Sequence, residues 1–418
     1  MVSGSLARMS RDTRLIWALC VASIGIYINL YMMQGMLPLI AEHFHVSTAR
    51  STLVLSVTSF TLAFSLLIYA VISDRIGRHK PIVWSLWALA LSNLLLIYVD
   101  SFNGLVAVRL LQGVLLASLP AIAMAYFKEQ LQPQTMLKAA AVYITANSFG
   151  GIVGRLLGGA LSQYLDWQSA MWVLLVVSMI GVAITQWLLP STDSATKREH
   201  RARHWQFSQE GLIDLRGFWR HLQDSQMRLA YIIGGVTFMM MVNQYSFIQL
   251  RLMDEPYDWS RFQATLIFLC YSSGTIASYF TARWISRHGQ LPLFKISLLL
   301  MLSGTLLTLV ENQITICIGF LLSSCGFFVT HSCCNSFVAM RANRHRAKAT
   351  SLYLCFYYFG AAMGGPYLMM FWHHNAWQGI VVGSLLLMVV ITIAVWRLGS
   401  EQRLAAAASQ PQLVKAHH

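Results

Sequence analysis

Charge is what this chain has least of, and negative charge least of all. Among its 418 residues only 11% are charged, and 16 acidic residues stand against 30 basic ones. A soluble domain carries about 25% charged residues, so the chain lacks the surface it would need in water. The acidic residues at 12, 42, 74, 100, 129, 166, 193, 199, 210, 214, 224, 254, 255, 258, 311 and 401 all fall at the ends of apolar runs or between them. A carboxylate in the middle of a run is therefore missing. The seven cysteines lie inside apolar segments without metal-ligand spacing, so packing is their expected role and no metal is expected. Adjacent Cys333 and Cys334 are unsuited to an ordinary bridge with each other. A phosphate-cradling glycine loop is also missing, which argues against direct coupling to ATP hydrolysis, and no cofactor is expected.

What the chain has is apolar length. It is 56% hydrophobic, with a mean hydropathy of +0.55. Windows long enough to cross a bilayer, about 20 residues each, lie near 15–40, 51–73, 81–99, 103–127, 138–163 and 168–190. Six more lie near 228–250, 262–285, 291–310, 313–338, 349–371 and 377–397. The first window follows Arg8, Arg11 and Arg14. It is too long for a signal-peptide core and has no small-residue cleavage site, so it reads as an uncleaved first helix.

Positive charge orients these spans. With the N-terminus inside, the cytoplasmic segments collect Arg75, Arg78, Lys80, Lys128, Lys138, Arg198, Arg283, Arg341 and Lys348 among others, while the opposite side keeps Arg50, Arg251 and Arg261. The formal net charge of +14 needs no nucleic acid to explain it, because no base-reading pattern accompanies the basic residues. The expected fold class is an all-α membrane protein with twelve transmembrane helices in two six-helix bundles and both termini cytoplasmic. The expected division is an N-terminal bundle at 1–190, a cytoplasmic basic linker at 191–227, a C-terminal bundle at 228–400 and a cytoplasmic tail at 401–418.

The halves repeat one another. Lys138-Ala139 recurs as Lys348-Ala349, Tyr143 as Tyr353, Phe149-Gly150 as Phe359-Gly360, Gly154 as Gly364, and Trp167-Gln168 as Trp377-Gln378. All share an offset of 210, which lays the fifth span onto the eleventh. Ser73 to Gly77 has a degraded echo in Ser286 to Gly289. Repeats running in the same direction imply two bundles related by an axis along the membrane normal.

The loop after the second span reads DRIGRHK at 74–80. It resembles the signature of the major facilitator superfamily between the second and third helices, with Asp74, Arg75, Gly77, Arg78 and Lys80 matching. The signature's leading glycine is Ala70 here. Gly77 suits the tight turn, and Glu129 at the end of the fourth span is a candidate partner for Arg75 or Arg78. The resemblance implies that Asp74 caps the eleventh helix and latches the halves on the cytoplasmic side. The plainer alternative is that these charges only set topology.

The fourth span carries Arg109-x-x-Gln112-Gly113, similar to the motif of proton-coupled members of the superfamily. Spacings of three and four place Arg109, Gln112, Gly113 and Leu116 on one face. Pro120 is a candidate kink, and snorkelling of Arg109 to the outer interface is the alternative reading. The fifth span, NSFGGIVGRLLGG from Asn147, resembles the superfamily's glycine-rich antiporter motif through Gly150, Gly154, Gly158 and Gly159, with Arg155 where the motif has proline. Four-residue spacing makes a flat glycine face for close backbone approach. A guanidinium at membrane depth costs at least about 2.5 kcal/mol, so Arg155 is expected to face protein or a wet cavity. The eleventh span keeps Gly360, Gly364, Gly365 and Pro366.

Two further spans offer polar groups. Tyr27, Tyr31, Gln34 and Pro38 in the first span read either as a polar aromatic cavity wall or as packing. His331 in the tenth is the group whose ordinary pKa lies nearest neutrality, and a packed core histidine is the competing reading. Asn147, Arg109, Gln112, Arg155, His331, Tyr27, Tyr31 and Gln34 form the expected substrate and proton pathway.

The stretches YITANSFGGIVGRLLGG, GFFVTHS and KATSLYLCFYYFG further resemble the YnfM-type branch of bacterial inner-membrane drug and metabolite exporters. The resemblance implies a secondary transporter in the bacterial cytoplasmic (inner) membrane that moves a small organic solute by alternating access. It further implies an exporter exchanging its cargo for protons and working as a monomer. Two intramembrane arginines without central carboxylates favour an anionic or zwitterionic substrate, while 13 Trp, 16 Tyr and 21 Phe leave an aromatic cage for a lipophilic cation open. A proton-symport importer of an organic anion fits the same residues. A non-transporting sensor or membrane enzyme fits them poorly, since no nucleophile–base pair stands in the spans.

Overall fold

The apolar runs all become helices, the form in which a segment satisfies its own backbone in lipid. The computed structural model describes residues 10–190, 216–342 and 346–415, leaving aside the side chains of Asp74, Leu137, Arg346, Ala347 and residues 405–415. Among the described residues there is no strand.

The chain begins with α1 (Arg11–Gly35), α2 (Leu37–His43), α3 (Thr48–Ser51), α4 (Leu53–Ile76) and α5 (His79–Ile97). It continues through α6 (Phe102–Leu116), α7 (Ser118–Gln130), α8 (Pro133–Tyr164) and α9 (Trp167–Leu188). Of the basic linker, 191–215 lie outside the described residues, and its end forms α10 (Arg216–Gln223). Then follow α11 (Ser225–Met253), α12 (Arg261–Thr265), a 3-10 turn at Leu266–Cys270, and α13 (Tyr271–His288). The last helices are α14 (Gln290–Leu307), α15 (Gln313–Arg341) and α16 (Arg346–Lys415).

Ten helical stretches among the described residues are long and apolar enough to cross a membrane, the last of them 57 residues long. That last stretch is interrupted. Asn375 (φ −154°, ψ 42°) and Ala376 (φ 39°, ψ −126°) leave helical geometry. Beyond them the chain doubles back, so that a Cβ on Gly379 would stand 2.1 Å from the Phe371 carbonyl oxygen. The Tyr367 hydroxyl donates to the Gly383 carbonyl at 3.1 Å across the same reversal. Pro366 lies within a continuous helical arm and does not mark the break. Elsewhere proline does sit at breaks: Pro38 is near the start of α2, just after the interruption at Met36. The fourth span parts at Ala117, three residues before Pro120, whose missing N–H leaves the preceding turn without a bond.

The chain clusters into two compact units. One holds Met1–Asp214 with Tyr245–Leu269, the other Leu215–Gln244 with Cys270–His418. In the first, α1 packs against α8 and α9, and α4 against α6. The α8 glycines make the first contact possible. Cβ atoms on Gly150 and Gly154 would lie 2.8 and 2.9 Å from the Ile24 and Ile28 Cα atoms, and one on Gly158 would lie 2.1 Å from the Met32 carbonyl oxygen. Gly159 turns to the Thr265 side chain instead.

In the second unit α13 and α14 pack on α15. Gly360 and Gly364 bring α16 onto α11, where added Cβ atoms would meet the Gly235 and Met239 carbonyl oxygens at 1.9 and 2.2 Å. The repeat is therefore a repeat of contacts. Its tryptophans behave alike too: the Trp167 indole donates to the Leu96 carbonyl at 2.8 Å, and that of Trp377 to Thr308 at 3.1 Å. Each closes the end of a helix, α5 in the first unit and α14 in the second.

Candidate functional site

Arg155 is 4% exposed on α8, one residue past the glycine that touches Ile28. Its Nε donates to Gln34 Oε1 at 2.8 Å, and Nη1 donates to the Gly151 carbonyl at 2.8 Å. The guanidinium lies 3.7 Å from the Tyr31 ring centroid and 5.2 Å from that of Phe268. Gln34 is held in turn, its Nε2 donating to Ser246 Oγ at 2.8 Å. Tyr27 stacks on Tyr31 with centroids 6.0 Å apart, and Asn147 Oδ1 accepts from Ser23 Oγ, again tying α8 to α1. This arrangement joins Arg155, Gln34, Tyr31 and Tyr27 around one cation. Ser246 and Phe268, which sequence reasoning did not single out, complete it.

Arg109 is elsewhere in the same unit, at 0% exposure. Its Nη1 donates to Gln112 Oε1 at 2.6 Å and to the Asn29 carbonyl at 3.2 Å, and Nη2 donates to that of Leu30 at 3.3 Å. Gln112 Nε2 donates to Ser92 Oγ at 3.0 Å and Asn93 Oδ1 at 2.9 Å, while Asn93 Nδ2 reaches Asn29 Oδ1 at 3.0 Å and Ser178 Oγ at 3.0 Å. The network ties α1, α5, α6 and α9 together inside the bundle. Arg109 points inward to these carbonyls and does not snorkel. A buried amide network of this kind rigidifies and specifies a packing, with Arg109 Nε its one guanidinium nitrogen left without a hydrogen-bond partner.

In the second unit the His331 Nδ1 and the Tyr353 hydroxyl are 2.7 Å apart. Rings of Tyr357 and Phe327 flank the imidazole at 4.6 and 6.4 Å between centroids. Tyr353 is the repeat counterpart of Tyr143, so the second unit has set its copy of this tyrosine against a titratable group.

At the loop after α4, Gly77 takes φ +85°, the left-handed region that favours glycine, and its echo Gly289 takes +77°. Arg78 reaches Glu129 with Nε at 3.1 Å and Nη2 at 2.9 Å, while its Nη1 donates to Ser73 Oγ at 2.6 Å. Arg75 stands in the last turn of α4, and the Asp74 side chain lies outside the description. Where α2 and α8 end and α12 begins, Arg261 pairs with Glu42 and donates to the Ser162 carbonyl at 2.9 Å. These residues border a cavity of about 370 Å³ with His43, Asp166 and Trp167. Burial, reinforced by nearby His45, lowers the His43 pKa. None of the pathway residues derived from sequence lines this cavity.

A buried cation on a glycine-packed helix, set in one of two units built on repeated contacts, is the framework on which the comparisons fall. The family model of the Major Facilitator Superfamily matches residues 19–252 and again 230–416. The chain belongs to the major facilitator superfamily, and it is a multi-pass secondary transporter and not an enzyme. It is 32% identical over 388 residues to the uncharacterized MFS-type transporter YybF of Bacillus subtilis, covering 92% of this chain and 93% of that protein. It is 30% identical over 385 residues to the inner membrane transport protein YnfM of Escherichia coli, with 92% and 90% covered. Among solved structures it resembles the nucleoside transporter NupG, at TM-score 0.72, 13% identity and coverage of 94% and 99%. It also resembles the human organic anion transporter MFSD10 (TETRAN), at 0.67, 15%, 93% and 100%. At these identities the two structures speak for the fold alone.

Proposed function

We propose that this chain is a proton-coupled exporter that moves small anionic or zwitterionic organic solutes across the bacterial cytoplasmic membrane by alternating access. Arg155 carries the reading. Its guanidinium is buried and held by Gln34 and the Gly151 carbonyl, and the sequence has no carboxylate in the interior of a span. A cation held in the interior of a span favours an anion, and the planar fork of arginine suits a carboxylate or phosphate. Gln34, Tyr31 and Tyr27 orient it, with Asn147 beside them. Arg109 and Gln112 brace the bundle through which it works.

Twelve spans with cytoplasmic termini belong to the same proposal. Counting the two arms of α16 separately and adding Arg261–His288 brings the ten apolar stretches to twelve. The bias of Lys and Arg then sets both termini inside. The E. coli relative is named for the inner membrane, which supports that location here. The latch reading keeps Asp74, Arg75, Gly77, Arg78 and Glu129 together on the cytoplasmic side, with the protein working as a monomer.

The test is a thermal-shift screen of the purified protein against anionic and cationic compounds at two pH values. A ligand at a hundredfold its dissociation constant stabilises by about 2.7 kcal/mol, enough to read clearly. Organic anions should raise the melting temperature; stabilisation by cations alone would overturn the substrate class. His331, bonded to Tyr353, is the proposed proton carrier. In reconstituted vesicles His331→Gln is expected to flatten the pH dependence of transport while substrate binding persists. An unaltered pH profile would put the proton elsewhere.

A further inference from the structure

Helix α10 takes no part in the transport site, yet it is built with care. Its sequence RGFWRHLQ splits cleanly by face: Gly217, Phe218 and His221 are buried, whereas Arg216, Trp219, Arg220 and Gln223 are exposed. The exposed four recur at helical spacing, so they form one stripe. On the other side, the Lys348 ammonium sits 5.6 Å from the Phe218 ring centroid, fixing α10 to α16. Its last carbonyls, Leu222 and Gln223, accept from Arg228 Nη1 at 2.8 and 3.1 Å.

The junction to α11 fixes where this stripe lies. Asp224 Oδ1 accepts from the Gln226 and Met227 amides at 3.0 and 3.2 Å, capping α11, while Oδ2 accepts from Arg341 Nε at 2.8 Å. The apolar stretch Ser225–Met253 therefore starts directly after α10 ends. Ser225 Oγ donates to Glu401 Oε1 at 2.7 Å, aligning that start with the end of α16. Trp396, 66% exposed and followed by Arg397, precedes Glu401 by roughly 7.5 Å of helix. Trp219 is 63% exposed beside Arg220. Two outward indoles, each next to an arginine, mark the level where membrane meets water.

We propose that the Arg216–Trp219–Arg220 stripe docks on anionic phospholipid headgroups of the surrounding bilayer. The indole lies among the headgroups and the guanidinium forks take the phosphates. Connectivity and charge favour the lipid surface over a soluble partner, because a helix pinned to the first residue of a span cannot leave the interface.

The full chain, in bilayer nanodiscs of phosphatidylcholine with or without phosphatidylglycerol, tests this by hydrogen exchange at residues 216–223. Phosphatidylglycerol should slow exchange there, and high salt should reverse the effect. The double variant R216Q and R220Q should lower headgroup affinity by about 25-fold, from about fivefold per basic side chain, and remove the protection. W219A should weaken it with both charges intact. All these side chains are exposed, so an unchanged melting temperature certifies each variant's fold. Equal exchange in both lipids, or protection that survives the double variant, would overturn the proposal. So would equal slowing by inorganic phosphate in phosphatidylcholine alone, which would make the stripe a general anion site.

Discussion

Arg155→Ala is expected to abolish transport while leaving the protein inserted and folded. The substitution removes the donors to Gln34 and Gly151 and the cation facing Tyr31 and Phe268. Hydrogen bonds to charged groups contribute about 1.5–3 kcal/mol each. Losing a two-pronged contact with an anionic substrate then lowers its affinity by about 100-fold or more. Stability should change far less, because removing a buried charge relieves a desolvation cost that offsets the lost bonds. Arg155→Lys keeps the charge without the fork and should retain only part of the flux. Vesicle uptake read beside melting temperature separates the outcomes. Full flux in the alanine variant would make Arg155 a structural cation, and a collapsed melting temperature would make it a packing group.

Much of this molecule could be read before its structure. Apolar length and scarce charge pointed to a helical membrane protein and the 210-residue repeat to two like bundles, while the resemblance to this superfamily rested on the DRIGRHK loop and the motifs of the fourth and fifth spans. Four-residue glycine spacing marked α8 as a helix that another backbone approaches. The Arg155 charge announced itself by its cost. Its surroundings did not. Phe268 and Ser246 reach it from distant segments, and an aromatic or a serine in an apolar run carries no sign that it faces a cation rather than another helix. Arg109 was equally visible, but the amide network that turns it inward runs through Asn93 and Ser178, which lie on helices with no local link to it. Pro366 lies inside a helical arm, and the break in α16 falls at Asn375 and Ala376, where the chain reverses. Proline removes one hydrogen bond from a helix, and neighbouring packing can absorb that, whereas a reversal cannot stay helical. The run Arg261–His288 does not stand with the ten apolar stretches because a 3-10 turn at Leu266–Cys270 interrupts it, leaving Tyr271–His288, which carries Arg283, Arg287 and several serines.

Gly158→Ala should be among the most damaging single methyls that can be added to this protein's first unit. Its Cβ would come 2.1 Å from the Met32 carbonyl oxygen and 3.0 Å from the Met32 carbonyl carbon, with Gly35 Cα at 3.3 Å. Those are backbone atoms in the helix opposite, so no rotamer change relieves the overlap and α1 and α8 must separate. Overpacking of a core typically costs 1–3 kcal/mol. A backbone clash belongs at the top of that range, about 3 kcal/mol or more. Intrinsic helix propensity pulls the other way by about 1 kcal/mol, which is why the control matters. Gly25→Ala on α1 meets nothing within 4 Å and should be neutral or slightly stabilising. The two variants add the same methyl to the same kind of backbone, so a difference in melting temperature reports the helix contact alone. Equal melting temperatures would mean that α8 and α1 are not held by backbone approach at this glycine. Arg155, three residues earlier on α8, would then lose the rigid platform that sets it against Gln34 and Tyr31.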